Sequence, residues 1–164
     1  EKAGDWELPV GLTDPRLRQW AGLMNQVVRE LGISRDTMAG YRPEAVGLAV
    51  VTAESHGSMG AQGEAGENCA MQVSQDNFAA AGVPLALRRD PYQCFRVGMG
   101  YLHKSFLIAK DMGFGGRKRL EEAFKGYNEG HGNIGKPSKK DYFPRYLDAL
   151  DGICPSGPIA PGCG

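Results

Sequence analysis

Nothing in the charge of this chain directs it to a polyanion. Its 164 residues carry 19 Lys plus Arg against 19 Asp plus Glu, a formal net charge of zero. No long-range field therefore draws it to nucleic acid or to an anionic membrane surface. Long hydrophobic runs are missing too: the most apolar stretch, Val46 to Ala53, is too short to cross a bilayer. There is no CxxC and no HxxxH spacing, which argues against a zinc site and leads us to expect neither metal nor cofactor. Internal repeats and low-complexity segments are absent, which sets aside repeat arrays and tracts that cannot build a core. The chain begins at Glu1 rather than Met, and the expectation is that any targeting peptide has been removed.

What the chain does have is enough length for one domain with a real core, expected to span 1–164. Glycine (24) and proline (10) are above average, and residues 151–164 read as a Pro/Gly-rich tail. The four cysteines are Cys69, Cys94, Cys154 and Cys163. An even count in a loop-rich chain fits two disulfides in an oxidising compartment, with three connectivities open. A structural zinc site and four free buried thiols are the rival readings.

Helical periodicity dominates. Leu17, Trp20, Ala21, Met24, Val27, Val28 and Leu31 share one face of a helix predicted over 14–31, with Asp14 as N-cap, Pro15 at the first position and Gly32 as the stop. A second helix, Pro43 to Glu54, is apolar nearly all round and so belongs inside. Its end at Glu54 to Gly57 should emerge at a cleft floor. Four glycines (Gly57, Gly60, Gly63, Gly66) make the next stretch a folded loop or a small irregular β element. Further helices are predicted over 77–81, 90–109 and 119–128, and another near Pro144. The fold class is mainly α, with a small irregular β or loop element beside the cleft.

"AVVTAESHGSM" (49–59) therefore raises a question, because it sets Glu54 at the end of a segment built for burial. A carboxyl group in apolar surroundings is costly to ionise and keeps its proton. That is a liability in a structural helix and an asset in an acid catalyst. Two other stretches bear on it: "CAMQVS" (69–74) and "GYNEGHGNI" (126–134). Each has an ordinary reading alone: a helix cap for Glu54-Ser55, packing for Met71-Gln72, a helix C-cap for Tyr127-Asn128 before Gly.

Taken in order, with "DPYQCFRVGMGYL" (90–102) between the last two, these motifs resemble the lysozyme-like superfamily. The match is to soluble lytic transglycosylases and their relative, goose-type lysozyme, and it runs over roughly residues 43 to 150. The family pattern is a helix ending in Glu-Ser, then GLMQ, then DPxxN…GxxYL, then AYNAGxGxV. His56 after Glu54-Ser55 is closer to goose-type lysozyme. The chain departs from the pattern at Cys69 and Ala70, at Cys94, and at Glu129 and His131, which set an ionisable pair beside the expected cleft. The cysteine departures suggest a Cys69–Cys94 disulfide, leaving Cys154 with Cys163.

The resemblance implies a peptidoglycan-cleaving lytic transglycosylase working outside the cytoplasm, periplasmic or secreted. Glu54 would protonate the oxygen between N-acetylmuramic acid and N-acetylglucosamine, then as carboxylate deprotonate the muramoyl 6-hydroxyl to leave a 1,6-anhydro end. Ser55, Met71, Gln72, Tyr127 and Asn128 would contact or frame the glycan strand. The alternative is a goose-type muramidase in which Glu64 or Glu67 activates water. An alternative of another class is a non-catalytic glycan-binding or assembly protein, since fold alone does not license activity. The expected partner is the glycan strand, met by a monomer or within a secretion-system or phage assembly, with no nucleic acid and no membrane span.

Overall fold

The computed structural model describes residues 1–140 and 142–164; Asp141, in the closing stretch, lies outside the described residues. Seven α-helices among them form the body: α1 (Pro15–Arg18), α2 (Ala21–Leu31), α3 (Pro43–Ser55), α4 (Gln75–Ala80), α5 (Pro91–Asp111), α6 (Gly116–Glu129) and α7 (Pro144–Ile153). The expectation of a mainly helical fold holds. A short antiparallel hairpin, β1 (Lys2–Ala3) with β2 (Trp6–Glu7), pairs Ala3 with Trp6. No helix among the described residues is long and apolar enough to cross a membrane.

The helix ends follow local chemistry. Proline opens α1, α3, α5 and α7, where the missing N–H costs nothing. The side chains of Asp14, Ser74 and Asp90 accept from backbone N–H groups of the first turns of α1, α4 and α5. The single helix expected over 14–31 is broken between α1 and α2. Trp20 sits at the break, where its indole Nε1 donates to the carbonyl of Gly57 at 2.8 Å and its ring meets Phe95 edge-on at 5.8 Å. That anchor is tertiary, so helical spacing could not reveal it.

α3 is the axis. Val46, Leu48, Ala49, Val50 and Val51 are fully buried, the valines and the leucine each contributing on the order of 1.5–3 kcal/mol by leaving water. α2 and α7 pack along it, and α5 joins α2 to α6. Gly47 permits the approach: a Cβ there would lie 2.7 Å from the Met99 sulfur and 2.8 Å from that of Met24. The N-terminal end of α3 is held by Glu44, buried and bound by Arg42 Nη2 at 2.8 Å and Asn25 Nδ2 at 2.7 Å. A buried carboxylate is tolerated only with such partners.

The segment 151–164 is not a loose tail. Trp6, fully buried, donates its indole N–H to Gly162 O at 2.7 Å, and Arg42 N donates to Cys163 O at 2.7 Å just before α3 begins. Both disulfides form as paired from the resemblance. Cys154–Cys163 closes this cap, and Cys69–Cys94 fastens the segment before Met71 to α5.

In the chain-entropy account, losing Cys69–Cys94 should cost roughly 3 kcal/mol and losing the shorter Cys154–Cys163 loop slightly less. Urea unfolding of the two paired Cys→Ala variants checks this. Equal midpoints for wild type and either variant would contradict it.

Candidate active site

Glu54 occupies the last turn of α3, and its neighbours lock that turn in place. His56 ends the helix in the left-handed conformation, φ 53°, and its backbone N–H returns to Thr52 O. Ser55 Oγ donates to Ala70 O at 2.7 Å and accepts from Gly57 N at 3.2 Å. The helix end and the Met71–Gln72 segment are thus tied directly together. Glu54 points into a groove of about 570 Å³, which Glu64, Glu67, Gln72, Tyr127 and Asn128 also line.

A wall of phenols stands behind the carboxyl. Tyr127 meets Tyr101 edge-on at 5.6 Å and Tyr146 at 6.2 Å, and Tyr142 meets Tyr146 at 5.7 Å. Burial pushes the Glu54 carboxyl up to about 7 from 4.5; hydrogen bonding to Tyr142 and Tyr146 opposes the rise, and the charge of Glu67 adds to it. Desolvation wins because the charged form loses more hydration than two neutral phenols restore. The phenols respond in kind. Burial, reinforced by the charge of Glu54, pushes Tyr142 up to about 12 and also raises Tyr127 and Tyr146. All three therefore stay protonated donors at neutral pH. Tyr142 donates to Ala53 O at 2.7 Å; having one hydrogen, it cannot serve that carbonyl and an ionised Glu54 at once.

The residues expected around the glycan divide into two groups. Glu54, Gln72, Tyr127 and Asn128 face the groove. Ser55 and Met71 frame it from behind: Ser55 Oγ is engaged with Ala70, and Met71 is fully buried. Tyr127 does not hydrogen-bond Glu54, since its hydroxyl donates to Met71 O at 2.6 Å. The Met71 sulfur sits so close to α5 that a Cβ on Gly98 would lie 2.6 Å from it. Gln72, at φ 51°, gives its amide N–H groups to Cys69 O at 2.8 Å and Ala61 O at 3.1 Å. Asn128 donates to Tyr146 Oη at 3.3 Å, while its buried Oδ1 has no hydrogen-bond partner.

The glycine-dense loop is better held than its composition suggests. Asn68 bridges both Gln62 and Val73, Gly63 N donates to Glu67 O at 2.9 Å, and Ala65 N donates to Glu67 Oε2 at 3.1 Å. This is the expected irregular β element beside the groove. Glu129 and His131 stand at the other rim. His131 stacks on Tyr101 at 3.9 Å and burial lowers its pKa, while Glu129 lines the groove.

Two groove residues, Lys140 and Tyr142, lie beyond the quoted motifs, as does Tyr146, which acts with Tyr142 on Glu54 without lining the groove. One signal was available. Tyr142 and Tyr146 flank the predicted helix start at Pro144, and their rings meet at 5.7 Å where α7 begins. Among the described residues, no group of three or more His, Cys, Asp or Glu side chains is placed to hold a metal ion.

A family model described as the transglycosylase SLT domain matches residues 33–148. Among solved structures, the chain is similar to the lytic transglycosylase Slt from Pseudomonas aeruginosa, determined as an inactive glutamate-to-glutamine mutant. The likeness has a TM-score of 0.50 and 17% sequence identity; it covers 78% of this chain and 20% of that one. The chain thus spans about a fifth of that protein's length. No curated protein matches the chain with significance.

The elevated carboxyl has a consequence for stability. Because Glu54 titrates near 7 when folded and at an ordinary 4.5 otherwise, the folded chain binds the extra proton between those values. Its contribution to stability is complete below the lower value and is lost as pH rises through the upper one. Glu54→Gln is neutral throughout, so it should gain stability over wild type from about pH 5 to pH 8, by at most on the order of 3 kcal/mol. Urea unfolding across that range is the check; a difference that does not change with pH would contradict it.

Proposed function

The chain belongs to the transglycosylase SLT domain family, and on that premise we propose that it is a lytic transglycosylase that cleaves peptidoglycan glycan strands with Glu54 as acid and then base. The observation that carries this reading is a carboxyl held near 7 at the floor of an open groove, backed by protonated phenols. Such a group is both protonated and able to give up its proton at neutral pH, which is what general acid catalysis requires. The Pseudomonas enzyme was inactivated by replacing a glutamate with glutamine, a change that removes a transferable proton and little else.

The proposed reaction runs in two steps. Neutral Glu54 gives its proton to the oxygen bridging N-acetylmuramic acid and N-acetylglucosamine, the C–O bond breaks, and positive charge develops at the anomeric carbon. Glu54, now a carboxylate, takes the proton of the muramoyl 6-hydroxyl as that oxygen closes onto the anomeric carbon. The product is a 1,6-anhydro end, no water is consumed, and Glu54 is neutral again. Tyr146 is the donor able to steady the carboxylate between the steps, and Tyr142 joins it only by releasing Ala53 O. Gln72 presents an amide oxygen for sugar N–H and O–H groups. The two disulfides support an extracytoplasmic workplace, since such bonds persist in oxidising compartments. A monomer and a member of a secretion-system or phage assembly would use the same chemistry.

One observation favours a second reading, hydrolysis of the same bond. Glu64 and Glu67 line the groove with Glu54, and hydrogen bonds hold Glu67 in a firm turn. Glycine content alone therefore does not disqualify that loop from positioning water.

Glu54→Gln should lower cleavage of purified peptidoglycan by about 10²–10⁴-fold or more while leaving glycan binding intact. Wild-type activity should fall as pH rises above about 7, as the acid loses its proton. Mass spectrometry of digests should show anhydro-muropeptides, and Glu64→Gln and Glu67→Gln should retain near-wild-type turnover. Reducing products, together with a large loss in either of those variants, would establish the hydrolase instead. Binding without any cleavage would favour the non-catalytic reading.

A further inference from the structure

Glu129 stands where the family pattern has alanine, at the last position of α6 and next to Asn128. Its carboxylate reaches forward along the chain. Oε1 accepts from Lys139 N at 2.7 Å and Oε2 accepts from Ser138 Oγ at 2.6 Å. An alanine at this position could make neither bond.

The segment it grips has little else to hold it. Lys136, Pro137, Ser138, Lys139 and Lys140 are all exposed, so burial contributes little to their placement and polar tethers decide it. The first tether comes from the same face of α6. Lys125 Nζ donates to Lys136 O and pairs with Glu122 at 2.7 Å, and Glu122 Oε1 accepts from Gly135 N at 2.6 Å. Glu129 is one helical turn beyond Lys125 and supplies the next. At the far end, Tyr142 donates to Ala53 O and reaches Glu54. Residues 135–140 are therefore a strap tied back to α6, and Tyr142, two positions further along the chain, is fixed at the end of α3. Lys140 and Tyr142 both line the groove wall.

We propose that Glu129 is a positioning residue for the reaction: its carboxylate latches the strap to α6 and thereby holds Tyr142 against the end of α3 beside Glu54. The inference rests on the reading of Glu54 as the acid. Both oxygens of Glu129 are engaged by the strap, so its action on the substrate is indirect and passes through Tyr142. The departure from alanine replaces a passive helix end with a fastening that the exposed strap needs.

A double-mutant cycle with an independent structural readout tests this. Initial rates on purified peptidoglycan would be measured for Glu129→Ala, Glu129→Gln, Tyr142→Phe and the Glu129→Ala/Tyr142→Phe pair, with Glu54→Gln alongside. Amide exchange at Lys139 would be followed by NMR. Glu129→Ala should lose about 10- to 100-fold in rate, the scale of a misplaced catalytic neighbour, with little change in melting temperature. The double variant should lose no more than Tyr142→Phe alone. Glu129→Gln keeps one acceptor oxygen and should fall between wild type and Glu129→Ala. Lys139 should exchange faster in Glu129→Ala. A full rate in Glu129→Ala, losses that multiply in the double variant, or unchanged Lys139 protection would each overturn the proposal. Should Glu54→Gln remain active, the acid assignment fails, and the exchange measurement still decides whether the latch exists.

Discussion

Desolvation of one carboxyl group is the constraint on which the rest of the structure depends. Glu54 ends a helix with no polar face, and placing that helix along the axis of the core is what brings its last turn to a groove floor with little water behind it. Burial alone would leave the carboxyl difficult to ionise and of no use as a base. The phenols of Tyr142 and Tyr146 offset part of that cost, so the group settles near 7 rather than far above it. α3, α5, α6 and α7 meet around this balance. α5 supplies Tyr101, α6 supplies Tyr127, α7 supplies Tyr146, and Tyr142 joins them from just before α7.

Much of the remaining architecture prevents the groove from drifting relative to the Glu54 carboxyl. The Cys69–Cys94 bond and the Ser55–Ala70 hydrogen bond attach one segment to both α5 and α3. Tyr127 then locks the same segment through Met71 O. Ser55 and Met71 therefore matter for geometry rather than for sugar contact. The proposed reaction would draw on such preorganisation, because donors that must first be ordered lose the advantage over water. The acidic loop shares in it through the Asn68 bridges.

The helical core was legible in the sequence because its causes are local. Prolines at first positions, side-chain N-caps and apolar spacing foretell the main helices to within a few residues, and the all-apolar pattern of α3 identifies the inner helix and its emergent end. Trp20 defeated the reading of one helix over 14–31 because its indole partner, Gly57, is 37 residues away. The Pro/Gly-rich end resembles a tail in composition, yet it folds through contacts with Trp6 and Arg42 that no local rule supplies. Motif order identified Glu54, Gln72, Tyr127 and Asn128 at the groove. It missed Tyr142 and Tyr146 because they act from a segment outside those motifs. Ser55 and Met71 lie next to groove residues in sequence but face away from the groove, a distinction that only three-dimensional placement makes.

The central claim is that the fold holds Glu54 protonated up to neutrality, and a site-resolved titration tests it most directly. With ¹³C-labelled glutamate in the ligand-free protein, the Glu54 side-chain carboxyl resonance, assigned by its loss in Glu54→Gln, can be followed by NMR as pH is raised. The account predicts a midpoint near 7. A midpoint in the ordinary range of glutamates, about 4.3, would show that the groove leaves this carboxyl solvated and would contradict the account at its base.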